Sequence, residues 1–264
     1  MNIALKGTLV LVGAGKMGGA MLEGWLKSGV DPKKIVVLDP FASDEMKTLL
    51  SKHKVSLNAA VSSIMDAEVV LIAVKPQMME EVLPTIIGLA ASKPLILSVA
   101  AGKTIASFER HFGKSAAVIR TIPNTPAAIG RGITAMSANL NVSAKQLQLA
   151  TELLSAIGEV VTVDREELID CVTAVSGSGP AYIFYVTECL AAAAEKIGLP
   201  PALAMQLARA TVAGSGELMR VTGTEAATLR QNVTSPKGTT HAALQVLMAE
   251  NGLQPLFEKA VKAA

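Results

Sequence analysis

Aromatic side chains make up only 3% of this chain of 264 residues, although 50% of its residues are apolar. Large rings therefore cannot dominate its packing, and small aliphatic faces must meet backbone close to backbone. Cysteine is scarcer still. Cys171 and Cys189 are too far apart for a Cys-x-x-Cys motif, and two thiols build no disulfide framework, so both are expected as small buried residues of a cytoplasmic enzyme. His53, His111 and His241 show no ligand spacing with one another or with a cysteine, and no metal site is expected. Excess charge is missing too. The 24 basic and 22 acidic residues leave a formal +2, with the basic residues scattered, which argues against nucleic acid or an acidic membrane as partner. Every long uncharged stretch is interrupted by Gly, Pro, Ser or Thr, so none reads as a spanning helix. The apolar run after Lys6 is too short for an export signal and passes straight into a glycine turn. Ala101-Gly102-Lys103-Thr104 has the tail of a triphosphate loop, but Leu97 stands where its first glycine should be.

What is present starts with Thr8-Leu9-Val10-Leu11-Val12, then Gly13-Ala14-Gly15-Lys16-Met17-Gly18, then the apolar pattern of Ala20 to Leu26. This order is strand, glycine turn, helix. Gly13 permits the tight turn, Gly15 lets backbone N–H groups reach a pyrophosphate, and Gly18 lets the helix pack closely on the strand. A second strand, Ile35-Val36-Val37-Leu38, ends at Asp39, about where an acid should meet an adenosine ribose. The residues also admit a plain solvated acid beside Pro40. As a ribose ligand Asp39 would repel a 2′-phosphate, and Pro40-Phe41-Ala42-Ser43 offers no arginine to offset that, so the residues lean to NADH over NADPH.

Alternation continues with a helix over 44–54, a buried strand over 69–74, a helix over 78–91, and strands at 95–99 and 117–119. Strand pattern returns at 133–136 and 159–163, then stops. Such units imply an α/β fold whose parallel sheet is covered on both faces, a Rossmann-type doubly wound domain over residues 1–164. Ligands should gather at the carboxyl ends of its strands, which carry Gly13, Asp39, Ala73-Val74-Lys75-Pro76 and Ala100-Ala101-Gly102. Lys75 reads equally as a cofactor contact or a solvated loop lysine.

Residues 165–264 read as helix throughout, with spans at 181–197, 201–222, 224–231, 239–251 and a last one toward Ala264. Gly198-Leu199-Pro200-Pro201 ends one helix and starts the next. An all-helical half this small, rich in Ala, Gly and Ser, has a thin core alone and is expected to bury the segment 181–222 against a second copy, giving at least a homodimer. Within this half, Val233-Thr234-Ser235-Pro236-Lys237-Gly238-Thr239-Thr240-His241 opens a helix with a hydroxyl-rich turn. Pro236 fixes its own φ, and the N–H groups of Gly238, Thr239 and Thr240 are expected to be free, suited to a carboxylate. An ordinary N-cap is the alternative.

Five stretches together resemble pyrroline-5-carboxylate reductase over nearly the whole chain: Gly13 to Gly18, Ala73-Val74-Lys75-Pro76-Gln77, Arg120-Thr121-Ile122-Pro123-Asn124-Thr125-Pro126-Ala127, Gly177-Ser178-Gly179-Pro180-Ala181-Tyr182, and Val233 to Thr240. The third and fifth are the specific ones. The resemblance implies an NADPH- or NADH-dependent reductase of 1-pyrroline-5-carboxylate, with interlocked helical domains in a dimer. It also implies that Ser235, Gly238, Thr239 and Thr240 hold the ring and carboxylate, and that Asn58 and Lys75 lie along the cofactor. Two positions depart from the family pattern. Lys237 replaces a glycine, and if positive φ is required there the lysine costs about 1 kcal/mol. It serves either as a cation for the carboxylate or as a solvated residue. His241 replaces an aliphatic residue and reads first as a helix-surface residue.

The cofactor brings the hydride, so the protein must hold the carboxylate, place the imine carbon and offer the ring nitrogen a donor. Thr240 is the candidate donor, and Asn124, set between two prolines, is a candidate to orient the nicotinamide amide. Ser176-Gly177-Ser178-Gly179-Pro180 reads either as a wall of the site or as tight helix entry. A short-chain dehydrogenase would need Tyr-x-x-x-Lys, but Tyr182 is followed by Val186 and Tyr185 by Cys189. A β-hydroxyacid dehydrogenase would need a lysine soon after Gly179, and the first is Lys196. A dinucleotide-sensing protein without catalysis is the rival from another class.

Overall fold

The computed structural model describes residues 3–264. They form two compact units, the first ending at Gly177 and the second comprising Ser178–Ala264. The first unit is an eight-stranded sheet in the order β3-β2-β1-β4-β5-β6-β7-β8. Its strands are β1 (Thr8–Val12), β2 (Ile35–Leu38), β3 (Ser56–Leu57), β4 (Ala67–Ile72), β5 (Leu95–Ser98), β6 (Ala117–Pro123), β7 (Gly132–Ala138) and β8 (Gly158–Thr162). Successive residues of β1 serve opposite faces. Leu9 and Leu11 join one buried cluster with Trp25 of α1 (Lys16–Lys27) and Leu153 of α5 (Ala144–Ser155), whereas Val10 and Val12 join another with Leu83 of α3 (Met79–Ile86) and Phe108 of α4 (Ile105–Phe112). A strand with apolar residues on both sides has no solvent face, which is why its sequence runs unbroken rather than alternating. Trp25, fully buried, donates its indole N–H to the carbonyl of Leu153 at 2.8 Å and so satisfies its one polar atom.

The expected all-parallel sheet needs one correction. Every neighbouring pair is parallel except β6 and β7, which run antiparallel. The link over residues 124–131 is too short for a crossover, so the chain must turn back on itself. The strand expected to reach residue 74 stops at Ile72, and the helix expected to reach residue 91 stops at Ile86 and continues as a 3-10 segment. Helix α2 (Asp44–His53) ends with Lys54 in the left-handed region, close to its expected span. Helices α4 and α5 were not foreseen. The second of them carries a full capping box between Ser143 and Gln146, a local signal that the residues do contain.

The first unit runs past Asp164 because α6 (Leu168–Val172) packs on the sheet: Ile169 is buried with Ile122 and Ala135. A π-helical turn, Thr173–Gly177, follows.

The second unit contains α7 (Gly179–Lys196), α8 (Pro201–Thr222), α9 (Ala226–Asn232), α10 (Thr239–Leu247) and α11 (Leu253–Ala263). Its apolar side chains are mostly exposed, among them Phe184, Tyr185, Leu190, Leu207, Leu218 and Leu256. An apolar groove of about 920 Å³ is lined by Tyr182, Tyr185, Val186 and Leu190 on one side and Leu253, Leu256 and Phe257 on the other. Tyr182 and Phe257 meet edge to face across it, with ring centroids 6.3 Å apart. Cys189, one turn along α7, raises the Tyr185 phenol above the usual range. Cys171 and Cys189 are both exposed in the single chain, against the expectation of burial, because α6 and α7 leave those positions uncovered.

Candidate active site

Strand order reverses at β1, whose neighbours are β2 and β4, so the crevice for a ligand opens at the carboxyl ends of these strands. Gly13 sits there with φ +89, and a Cβ on it would lie 2.9 Å from a Val74 methyl and 3.0 Å from the Ala73 carbonyl oxygen. Gly18 is tighter, since a Cβ would lie 2.2 Å from the carbonyl oxygen of Gly13. Gly15 differs from both. An added Cβ would meet nothing within 4 Å, so the space beside it is open, and as N-cap of α1 it leaves that helix without a side-chain cap. Lys16, Met17 and Gly18 form the first turn of α1, whose N–H groups have no acceptor one turn back. Open space, uncapped donors and a helix N-terminus fit a pyrophosphate.

Asp39 anchors this edge. One carboxylate oxygen accepts the Ala14 N–H at 2.7 Å and the other accepts the Phe41 N–H at 2.9 Å. Asn58, with φ +53, meets the backbone of the same residue twice: its amide oxygen accepts the Asp39 N–H at 2.8 Å, and its amide nitrogen donates to the Asp39 carbonyl at 3.1 Å. The side chain thus adds a rung where β3 has already ended, and fixes the acid relative to the glycine turn. Ala73 is tied to β1 by its N–H on the Val12 carbonyl at 2.8 Å, and the exposed Lys75 heads the turn before α3.

The Arg120 to Ala127 stretch does structural work that its residues did not announce. Arg120, 4% exposed on β6, donates to Glu166 at 3.2 Å and to Asp170 at 2.7 Å. The same Glu166 oxygen accepts the Ile105 N–H at 2.8 Å, supplying α4 with the cap its own Thr104 does not give. Asn124 accepts the Ile133 N–H at 3.0 Å and donates to the Ser176 carbonyl at 3.2 Å, so it ties β7 and the π-helical turn to the end of β6.

In the second unit, Ser235, Pro236, Lys237 and Gly238 form a turn into α10. The expectation of three open donors is corrected at one position: the Gly238 N–H is spent on the Ser235 carbonyl at 3.0 Å, because Lys237 takes φ +64 and closes the turn. Thr239 and Thr240 open α10 behind Gly238, an N-cap with no side-chain cap, so their N–H groups remain as donors. Thr240 is half-buried, whereas Ser235 and Thr239 are exposed. His241 is exposed and lies 3.5 Å from Gln245 one turn on. Among the described residues, no three His, Cys, Asp or Glu side chains gather where they could hold a metal ion, and no helix is long and apolar enough to cross a membrane.

A pyrroline-5-carboxylate reductase from Pseudomonas aeruginosa is 38% identical to the chain over 256 residues, 97% of this chain and 93% of that protein. The chain belongs to the pyrroline-5-carboxylate reductases. These are oxidoreductases, and the solved pyrroline-5-carboxylate reductase of Coxiella burnetii superposes with a TM-score of 0.91 at 35% identity, covering 98% of this chain and 96% of that one. A Plasmodium falciparum pyrroline carboxylate reductase solved with NADP bound gives 0.80 at 25% identity over 98% and 95% of the two chains. Residues 166–264 match the family described as pyrroline-5-carboxylate reductase dimerisation, and residues 8–102 match one described as NADP oxidoreductase, coenzyme F420-dependent.

Proposed function

We propose that this chain, acting in the cytoplasm as at least a homodimer, reduces 1-pyrroline-5-carboxylate to proline with NADPH or NADH, the substrate held at the turn that opens α10. The observation that carries this reading is the conjunction of family membership with an uncapped, hydroxyl-rich helix start whose Thr239 and Thr240 N–H groups are unspent. Those two donors and the Ser235 hydroxyl hold the carboxylate. Gly238 contributes shape, since its own N–H is engaged. The dinucleotide lies along Gly13, Gly15, Lys16, Met17 and Gly18, beside Asp39, Asn58, Ala73 and Lys75, and Asn124 shapes the nicotinamide end. When bound, the cofactor supplies the hydride that adds to the imine carbon. As the imine carbon is reduced, the π pair passes to the ring nitrogen as a lone pair, to which Thr240 donates a hydrogen bond; no strong acid is needed if the imine arrives protonated.

Thr240→Ala tests the assignment. Losing one neutral donor costs about 1–3 kcal/mol, or about one to two orders of magnitude in kcat/KM, with dinucleotide affinity unmoved. Thr240→Ser, which keeps the hydroxyl, retains most activity. Wild-type kcat/KM in Thr240→Ala would remove Thr240 from this role and leave water or His241 as donor. Between the cofactors, the acid of Asp39 at this edge, which would repel a 2′-phosphate, and the absence of an arginine in residues 40–43 favour NADH. A comparison of kcat/KM decides this, and a preference for NADPH of about tenfold or more, about 1.4 kcal/mol, overturns it.

A further inference from the structure

We infer that Phe41 is the platform on which the adenine ring of the dinucleotide stacks. In the first unit the other aromatic residues are covered: Trp25 and Phe108 are fully buried, and Phe112 is half-buried against the core. Phe41 is 83% exposed. In a chain this poor in rings, an uncovered phenylalanine calls for an occupant, and the matched dimerisation segment, residues 166–264, does not include it. Its place in the fold names the occupant. Phe41 follows β2 by three residues, at the carboxyl edge where an adenosine half belongs once the pyrophosphate lies at Gly15. Its backbone is not loose, because its N–H is held by the Asp39 carboxylate, whose second oxygen holds the Ala14 N–H of the glycine turn. One acid thus fixes the turn and the ring's attachment point together. Leu38, Ala59 and Val74, half-buried at the ends of β2, beyond β3 and beyond β4, add apolar surface at the same edge. Pro40 stiffens the step between acid and ring. A flat heterocycle without charge suits this surface, since every base has a π-face and stacking demands no hydrogen-bond pattern.

The inference rests on the reading of the β1–α1 turn as the pyrophosphate site, and its test separates the two. The probe is ADP-ribose, which carries adenosine and pyrophosphate without nicotinamide, as a competitive inhibitor against the reduced cofactor. Phe41→Ala should weaken its inhibition about tenfold and raise the cofactor KM similarly, with kcat little changed and with no loss of thermal stability, the ring being exposed. Phe41→Trp should restore inhibition, and its new emission should change with ADP-ribose but not with nicotinamide mononucleotide, which lacks the adenine. Gly15→Val is run in parallel, because the space beside Gly15 is open and the fold tolerates the side chain while a bound pyrophosphate does not. If Gly15→Val abolishes ADP-ribose inhibition and Phe41→Ala leaves it unchanged, the assignment of Phe41 is wrong. If Gly15→Val leaves inhibition untouched, the pyrophosphate reading itself falls.

Discussion

In the first unit apolar side chains leave solvent on both faces of the sheet, with Leu9, Leu71 and Ile119 wholly buried on one and Val10, Val70 and Val118 on the other. In the second, the buried apolar residues among those described are Ala191, Ala204 and Ala208, while most large ones on α7, α8, α10 and α11 remain exposed. Both are built from similar aliphatic residues. The contrast teaches where each unit obtains its stability: the inner strands of the sheet are covered by their own helices, whereas five helices whose buried residues are three alanines on α7 and α8 need apolar surface from outside the chain.

That contrast breaks most visibly at the groove. Leu190→Asp or Leu256→Asp puts a charge into apolar surface and should convert the dimer to monomer at micromolar concentration. Sedimentation follows the change, and activity should fall with it. A stable wild-type monomer would remove the idea that the second unit is completed by a copy of itself. The next largest effect lies in the first unit. Arg120→Leu leaves Glu166 without its counter-charge and should cost about 3 kcal/mol, the low end for a buried pair because Asp170 is largely exposed. Chemical denaturation measures it, and the dimer should survive the change. A smaller effect of opposite sign is expected at Lys237. Its φ of +64 suits glycine, so Lys237→Gly should stabilise by about 1 kcal/mol, seen as a rise in Tm. A fall would mean that the lysine side chain gains more than its backbone loses.

Much of this molecule was legible in its residues, and most of what was not depends on partners distant in sequence. The β1–turn–α1 unit, Asp39 at the end of β2, and the start of α10 at Thr239 are local patterns, set by apolar period, glycine and proline. The reversal at β7 was not, because periodicity reports a strand without its direction. Nor was the partner of a side chain distant in sequence. Nothing near Asp39 tells that its carboxylate is spent on Ala14, and nothing near Glu166 tells that it caps α4. The Gly238 bond is local instead, closed by the left-handed φ of Lys237, a conformation that a lysine does not announce. The dinucleotide edge was therefore readable as a set of residues, but the reason each is held in place was not.

The brace of Arg120, Glu166 and Ile105 bears on how this protein can be divided. The matched dimerisation segment begins at residue 166, yet Glu166 spends its carboxylate inside the sheet-bearing unit. A chimera that exchanges helical halves by splicing before residue 166 would inherit whatever acid, or lack of one, the donor brings to a buried guanidinium and to the first turn of α4. Splicing after Gly177 carries the brace, the buried Ile169 and the Asn124 tie to Ser176 along with their sheet. The interchangeable module is thus shorter than the stretch that sequence kinship marks out, and the inheritance of oligomeric partners and of dinucleotide affinity can be separated only at the later junction.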